Sequence, residues 1–351
     1  MRFYTMPLIP ETDRMTTIPR EMSAAVLHGF GDPDNLKPGR VPVQPPRRGE
    51  VLVKIHAASV NPVDWKIRRN GPPMAPALPG IQGCDMAGEV VALGEGVTGF
   101  AVGDRVFGSP GGVKTVDGTY AEYMRADARL IARMPAGLGF REAAALPLVS
   151  ITAWEGLIDR ARVQPGERVL IHGGAGGVGH VAIQIAKAAG AHVTTTISSP
   201  EKAAIARDLG ADETVNYREE SVEAYVGRLT GGRGFDVVMD ATGGKDLVTS
   251  FAGARLNGRV VTIVSQFPAD LTLMHLKGLD LHVVFMIIPV LHDVGREHHG
   301  EIMRRIAALV DSGRMRPLLD PARFDLAHAA DAQAHLEEGR ATGKVVIDVA
   351  G

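Results

Sequence analysis

The chain has 351 residues, long for one hydrophobic core and natural for two domains. Its 38 Lys and Arg against 40 Asp and Glu leave a formal net charge of −2, with no basic stripe, which argues against a nucleic-acid partner. No run of about 18 apolar residues occurs, so no membrane-crossing helix is expected. The single cysteine excludes an intrachain disulfide and a four-cysteine zinc site, and it suits a reducing, cytoplasmic setting.

Residues 1–21 mix prolines and charges without a signal-like apolar stretch and read as a disordered extension. From Met22 the chain reads as short strands cut by Gly and Pro. "EVLVKIHAASV" (Glu50 to Val60), "AGEVVALGEGV", "VGDRVFG" and "TYAEYM" follow one another with turn residues between them, the pattern of a small β-barrel or sandwich. From about Ile151 strands alternate with helices. "RVLIHGG" (Arg168 to Gly174), "HVTTTIS", "ETVNY", "FDVVMDATG", "GRVVTIV" and "LHVVFMII" supply six strands. "GHVAIQIAKAAGA" and "PEKAAIARDLGA" have helical period between them. This is the rhythm of an α/β doubly wound parallel sheet, with expected order 3-2-1-4-5-6. Beyond Pro289, "HGEIMRRIAALVDSG" (His299 to Gly313) and a segment within "ARFDLAHAADAQAHLEEG" read as helices, and "GKVVIDV" (Gly343 to Val349) as a final strand. His292, His298 and His299 lack metal-site spacing and read as a solvated helix entrance.

"HGGAGGVG" places Gly174, Gly176 and Gly179 at GxGxxG spacing between a strand and a helix. One glycine permits the turn, one lets backbone approach a pyrophosphate, and one lets helix pack on strand. Gly174, Ala175, Gly176, Gly177, Val178 and Gly179 are therefore expected to cradle a dinucleotide at a helix N-terminus. The end of the next strand, Thr194 to Pro200, carries no carboxylate to hold a ribose 2′-hydroxyl or repel a 2′-phosphate. Ser198, Ser199 and Lys202 offer hydroxyls and a cation instead, which favours NADPH over NADH. Glu201 is expected to point outward.

"NPVDWKIR" (Asn61 to Arg68), "GTYAEYM", "GGAGGVG" and "GRATGKVVI" (Gly339 to Ile347), in that order, resemble medium-chain dehydrogenases/reductases, in the branch of zinc-free quinone oxidoreductases and enone reductases related to zeta-crystallin. The resemblance implies a GroES-like catalytic β-barrel domain from residues 22–150 and 290–351, a Rossmann domain at 151–289, and an active site in the cleft between them. It also implies a homodimer. Zinc-dependent members carry a cysteine where this chain has Asn61 and a His-Glu pair where it has Cys84-Asp85. Only Cys84 and Asp85 could bind zinc, one ligand short of a catalytic site, so no metal is expected and Cys84 reads as a small packed residue.

Without zinc to stabilise an alkoxide, the natural reaction is hydride transfer to an acceptor that is already activated, a quinone or an α,β-unsaturated carbonyl. Asn61 and Lys66 are the candidate catalytic donors near the developing oxyanion, with Asp64 bracing their loop and Trp65 a pocket wall or core residue. The resemblance carries Lys202, Tyr217 and Arg340 over as 2′-phosphate contacts. It places Thr152 on the nicotinamide side, Gly243 and Ser265 at strand ends facing the crevice, and Lys344 within reach of the cleft. Two other functions stay open: a zinc-dependent alcohol dehydrogenase with unusual ligands, and a dinucleotide-binding protein with little catalysis.

Overall fold

The computed structural model describes residues 18–244 and 246–349. Residues 1–17 of the expected extension lie outside them; the first strand, β1 (Glu21–Leu27), already includes Glu21. β1 pairs with β2 (Leu36–Pro42) and, after β3 (Glu50–Ser59), with β4 (Gly80–Ile81) in a small antiparallel sheet. β5 (Asp85–Leu93), β6 (Arg105–Gly108), β7 (Tyr123–Asp127) and β8 (Ile131–Arg133) build a second sheet around β3, whose side chains Val51, Leu52, Val53 and Ile55 are buried. The expected strand at "TYAEYM" is displaced. Tyr120 lies in a bend and Ala121 makes only an isolated bridge to Ala24, so the continuous strand begins at Tyr123.

Three helices in this half carry no strand signal: α1 (Pro62–Asn70), α2 (Phe140–Ala144) and α3 (Pro147–Trp154). Pro62 and Pro147 sit in the first turns of α1 and α3, where a missing N–H costs nothing. α3 runs on into a π-helical turn, Glu155–Arg160.

The second lobe confirms the expected topology. β9 (Arg168–Ile171), β10 (His192–Ile197), β11 (Glu213–Asn216), β12 (Phe235–Asp240), β13 (Ala254–Thr262) and β14 (Asp280–Val283) are all parallel in the order β11-β10-β9-β12-β13-β14, which is 3-2-1-4-5-6. Central strands of such a sheet are buried on both faces, so they are continuous apolar runs. Val169 to Ile171 and Val237 to Met239 are fully buried. The connecting helices include α4 (Gly177–Ala188), α5 (Pro200–Asp208), α6 (Val222–Thr230), α7 (Asp246–Gly253) and α8 (Thr272–Lys277).

The run "LHVVFMII" was expected to be one strand but is a strand only to Val283. Val284, Met286 and Ile287 turn into the core, and a short helix, α9 (Ile288–His292), begins with Pro289 in its first turn. The first part of the run extends the sheet as its edge strand; beyond it Val284, Met286 and Ile287 pack inward while Phe285 and Ile288 stay exposed. α10 (Arg296–Asp311) packs on α3 and β8. His299 corrects the solvated-entrance expectation. It faces inward with Ile302 and Met303, fully buried, and its Nε2 lies 3.1 Å from Glu155 of the π-helical turn. His298 pairs with Asp159 at 2.7 Å, and His292 is exposed.

The chain then returns to the first lobe. β15 (Phe324–Asp325), α11 (Ala329–Glu337) and β16 (Val346–Asp348) follow, and β16 pairs antiparallel with β3, Val346 opposite Ser59. That register sets the C-terminal segment beside the residues that precede α1, a juxtaposition on which the site depends.

Candidate active site

The glycine loop joins β9 to α4. Gly173 adopts a φ of +75°, a left-handed conformation that favours glycine. The turn glycine is thus Gly173 and none of the three in the spaced motif. Gly174 is needed for close approach: a Cβ there would lie 2.3 Å from Thr195 Oγ1 of β10. Gly179 lets α4 pack, because its Cβ would sit 2.1 Å from the carbonyl oxygen of Gly173.

This loop forms the floor of an open cleft of about 830 Å³. The cleft lies across the carboxyl ends of β9, β10 and β12, where open α/β sheets bind ligands. Ala175 to Gly179 line it, with Thr196, Ile197 and Ser198 at the end of β10 and Lys202 and Tyr217 beyond. The Lys202 ammonium forms no ion pair with any described residue, so a cation faces the cleft unneutralised. Glu201 is exposed and outside the lining, as expected from its helical position. Two carboxylates do reach the lining, Glu220 and Glu223. Glu220 is held by Arg228 through bonds of 2.9 and 2.6 Å, which also keep its carboxyl below the usual range.

A second, buried cluster sits where the lobes meet. Asp85 Oδ2 accepts from the Ser59 hydroxyl and the Asn61 Nδ2, both at 2.8 Å, while Oδ1 accepts the Leu148 N–H at 2.8 Å. The Lys344 ammonium donates to Asn61 Oδ1 at 2.5 Å and to Val60 O at 3.0 Å, and lies 3.3 Å from Asp85 Oδ2. Next to it, Asp64 Oδ2 accepts the Asn61 N–H at 2.8 Å and the Tyr120 hydroxyl at 2.9 Å. Cys84 donates to Asp64 Oδ1 at 3.6 Å; burial and the two carboxylates push its thiol well above the ordinary range. The opening of α1 is therefore braced by Asp64, as expected, and Cys84 is a packed donor.

Burial pushes the Asp64 carboxyl up to about 6, with Asp85 adding to the rise and Tyr120 and the Asn61 N–H opposing it. Its native pKa exceeds its unfolded value, so the native state holds the extra proton between about pH 4 and 6. This contribution to stability is full below pH 4 and is lost as pH rises through 6. Urea unfolding across that range is expected to show a fall of about 3 kcal/mol from this group. Asp64→Asn is expected to remove that fall; an unchanged slope would show that Asp64 does not titrate there.

Two family matches agree with this architecture: the alcohol dehydrogenase GroES-like domain over residues 47–136 and zinc-binding dehydrogenase over residues 209–347. Pig quinone oxidoreductase is 34% identical over 337 residues, 95% of this chain and 99% of that protein. The NADPH-dependent alkenal/one oxidoreductase of Arabidopsis thaliana chloroplasts is 33% identical, covering 94% and 80%. An alcohol dehydrogenase superfamily protein from Novosphingobium aromaticivorans superposes with a TM-score of 0.88 at 42% identity, over 94% of this chain and 100% of that one. The chain belongs to the medium-chain dehydrogenase/reductase superfamily. It is an oxidoreductase with quinone oxidoreductase and enone reductase homologues.

For this dehydrogenase/reductase, the expected site residues divide into groups. Ala175, Gly176, Gly177, Val178, Gly179, Ser198, Lys202 and Tyr217 meet at the cleft. Gly174 and Ser199 stand behind it. Ser199 caps α5, accepting the Lys202 N–H at 3.3 Å. Thr152 turns its hydroxyl to Leu148 O at 2.7 Å within α3. Gly243 is buried at a φ of +79° and Ser265 is exposed beyond β13; neither lines the cleft. Arg340 is exposed and paired with Glu338 at 2.7 Å, although the next residue, Ala341, does line it. Lys344 joins Asn61 in the buried cluster and is absent from the cleft lining. Lys66 is half-buried on α1 with no ion pair among the described residues. Its ammonium lies 5.7 Å from the Trp65 ring centroid, and burial lowers its pKa.

Sequence reading missed His172, Thr196 and Asp240. His172 Nδ1 lies 3.3 Å from Thr196 Oγ1, joining two strand ends at the cleft. Asp240 Oδ1 accepts the Thr242 and Gly243 N–H groups at 3.1 and 2.7 Å and shapes the turn that brings Thr242 to the lining. The only sequence signal for Asp240 was an acidic residue closing a buried strand.

Proposed function

We propose that this chain is an NADPH-dependent, zinc-independent reductase of quinones or α,β-unsaturated carbonyls. The observation that carries the reading is the uncompensated Lys202 ammonium beside Ser198 and Tyr217, at a strand end that presents no carboxylate. A 2′-phosphate suits that chemistry, and the glycine-loop N–H groups at the start of α4 suit a pyrophosphate. When bound, NADPH supplies a hydride. A hydride delivered to a conjugated carbon would place negative charge on the acceptor's carbonyl oxygen, to be balanced by a proton from solvent. Lys66, half-buried and with no ion pair among the described residues, is the cation proposed for that developing charge, although it stands outside the cleft lining.

The donor set does not fit zinc. Zinc takes a thiolate and free carboxylate oxygens. Here the Cys84 thiol is pushed up and bonded to Asp64, both Asp85 oxygens are engaged, and the Lys344 ammonium already stands at Asp85. Among the described residues no group of three or more His, Cys, Asp or Glu could hold a metal ion. A panel of quinones, enals and enones, followed by NADPH absorbance in chelator-treated protein, tests the reading. Turnover is expected; NADPH binding without oxidation by any acceptor would favour a binding protein.

The protein is further proposed to form a homodimer through the open edge of β14. Val283 and, just beyond the strand, Phe285 and Ile288 expose apolar side chains there. Sedimentation is expected to give about twice the 37.2 kDa chain mass, and Val283→Asp to shift it toward monomer. A monomeric wild type would contradict the pairing.

A further inference from the structure

We propose that Lys344 is a positioning residue: its ammonium sets the orientation of the Asn61 amide, and its stem, with the Gly343 N–H before it, ties the loop that opens α1 to the glycine loop. The inference rests on the reductase reading for its kinetic consequence, not for its geometry.

Lys344 is 2% exposed, so it does not reach solvent or the cleft. A compact ammonium has three N–H donors, and three oxygens face it: Val60 O, Asn61 Oδ1 and Asp85 Oδ2. The Asn61 Nδ2 donates to the same Asp85 carboxylate. Turning the amide over would set its oxygen against the carboxylate and its NH₂ against the ammonium, both repulsive. The two charges therefore select one orientation of a group that otherwise has two nearly isosteric ones. In that orientation one hydrogen of Nδ2 serves Asp85. The other meets no acceptor among the described residues; Asn61 is itself buried and outside the cleft lining, so the amide's orientation acts on the packing of the loop that opens α1.

The same side chain reaches toward the dinucleotide loop. The Gly343 N–H donates to Ala175 O at 3.0 Å, and Lys344 Cδ lies 3.6 Å from where a Cβ on Gly177 would stand. The backbone is pinned from behind. The Lys344 N–H donates to Leu318 O, and its carbonyl accepts from Asp320, both at 2.9 Å. Gly343 has a φ of +72° and would place a Cβ 2.3 Å from Leu318 O. The methylenes of Lys344 thus run along the start of α4, and the ammonium ends on the loop that opens α1. An arginine fork is planar and longer, and it does not match three oxygens converging on one point.

The test uses Lys344→Met, Lys344→Arg and the double variant Lys344→Met/Asp85→Asn, in which no buried charge is left unpaired. The double variant is expected to bind NADPH within about threefold of wild type, while kcat for the acceptor falls about a hundredfold. Lys344→Arg is expected not to restore kcat. A double variant that keeps wild-type kcat, rescue by arginine, or an NADPH affinity that falls as far as kcat would overturn the positioning role. A spectroscopic arm is independent of turnover. The side-chain amide of Asn61, assigned in a ¹⁵N spectrum by its loss in Asn61→Ala, is expected to shift in Lys344→Met. An unshifted amide would overturn the proposal even if the enzyme is active. If wild type reduces no acceptor but the amide shifts, the positioning stands and the reductase reading fails.

Discussion

Gly179→Ala is expected to destabilise the protein by about 3 kcal/mol or more and to weaken NADPH binding at least about a hundredfold. The new methyl would lie 2.1 Å from Gly173 O, 2.7 Å from Gly173 C and 2.9 Å from Gly174 Cα. All three are backbone atoms, so no side chain can swing aside. Gly173 O also accepts the Gly176 N–H at 2.9 Å, so displacing it opens the turn whose N–H groups face the cleft. Gly227→Ala is the control. It lies within α6 with nothing within 4 Å of the added methyl, and is expected to be neutral or to gain up to about 1 kcal/mol from helix propensity. Urea unfolding with NADPH fluorescence titration reads both. A Gly179→Ala protein as stable and as tight as wild type would mean that the loop is not the dinucleotide cradle.

Lys202→Ala is expected to weaken NADPH binding by roughly 10- to 100-fold and to change NADH binding by less than about twofold. Among the described residues the ammonium has no carboxylate partner in an ion pair, so its removal breaks none there. The loss therefore falls on the ligand's phosphate. It should shrink as salt rises, because the site is open to water. Equal losses for both nucleotides would assign Lys202 to something other than the 2′-phosphate.

The parts of this protein that were legible in its sequence are those set by local period. Strand order in the second lobe followed from alternation of buried strands and helices. Ser198 and Lys202 were read from the segment after the glycine loop, and Tyr217 came from the family resemblance; all three line the cleft. The sixth strand at Leu281 is present but ends at Val283, because the inward turn of Val284, Met286 and Ile287 leaves the same apolar run as a longer strand. α1 was missed because four of its nine residues, Asp64, Lys66, Arg68 and Arg69, are charged, and its apolar face is short. The Asn61–Asp85–Lys344 cluster was not legible as a unit. Its members come from three segments, brought together by the pairing of β3 with β5, Ser59 opposite Asp85, and of β16 with β3, with the Leu148 N–H at the start of α3 closing on Asp85. Asn61 read as a donor with a free amide; in the structure both ends of that amide are engaged, and one hydrogen remains.

The central claim is that a hydride passes from NADPH to a conjugated acceptor without a metal. The most direct measurement is a single turnover of chelator-treated protein with NADPH deuterated at C4, run separately with each face labelled. The account expects one labelled face to deliver deuterium to the β-carbon of an enone, with the α-hydrogen coming from solvent. Product that carries no label from either face, or label transfer that appears only after zinc is restored, would contradict it.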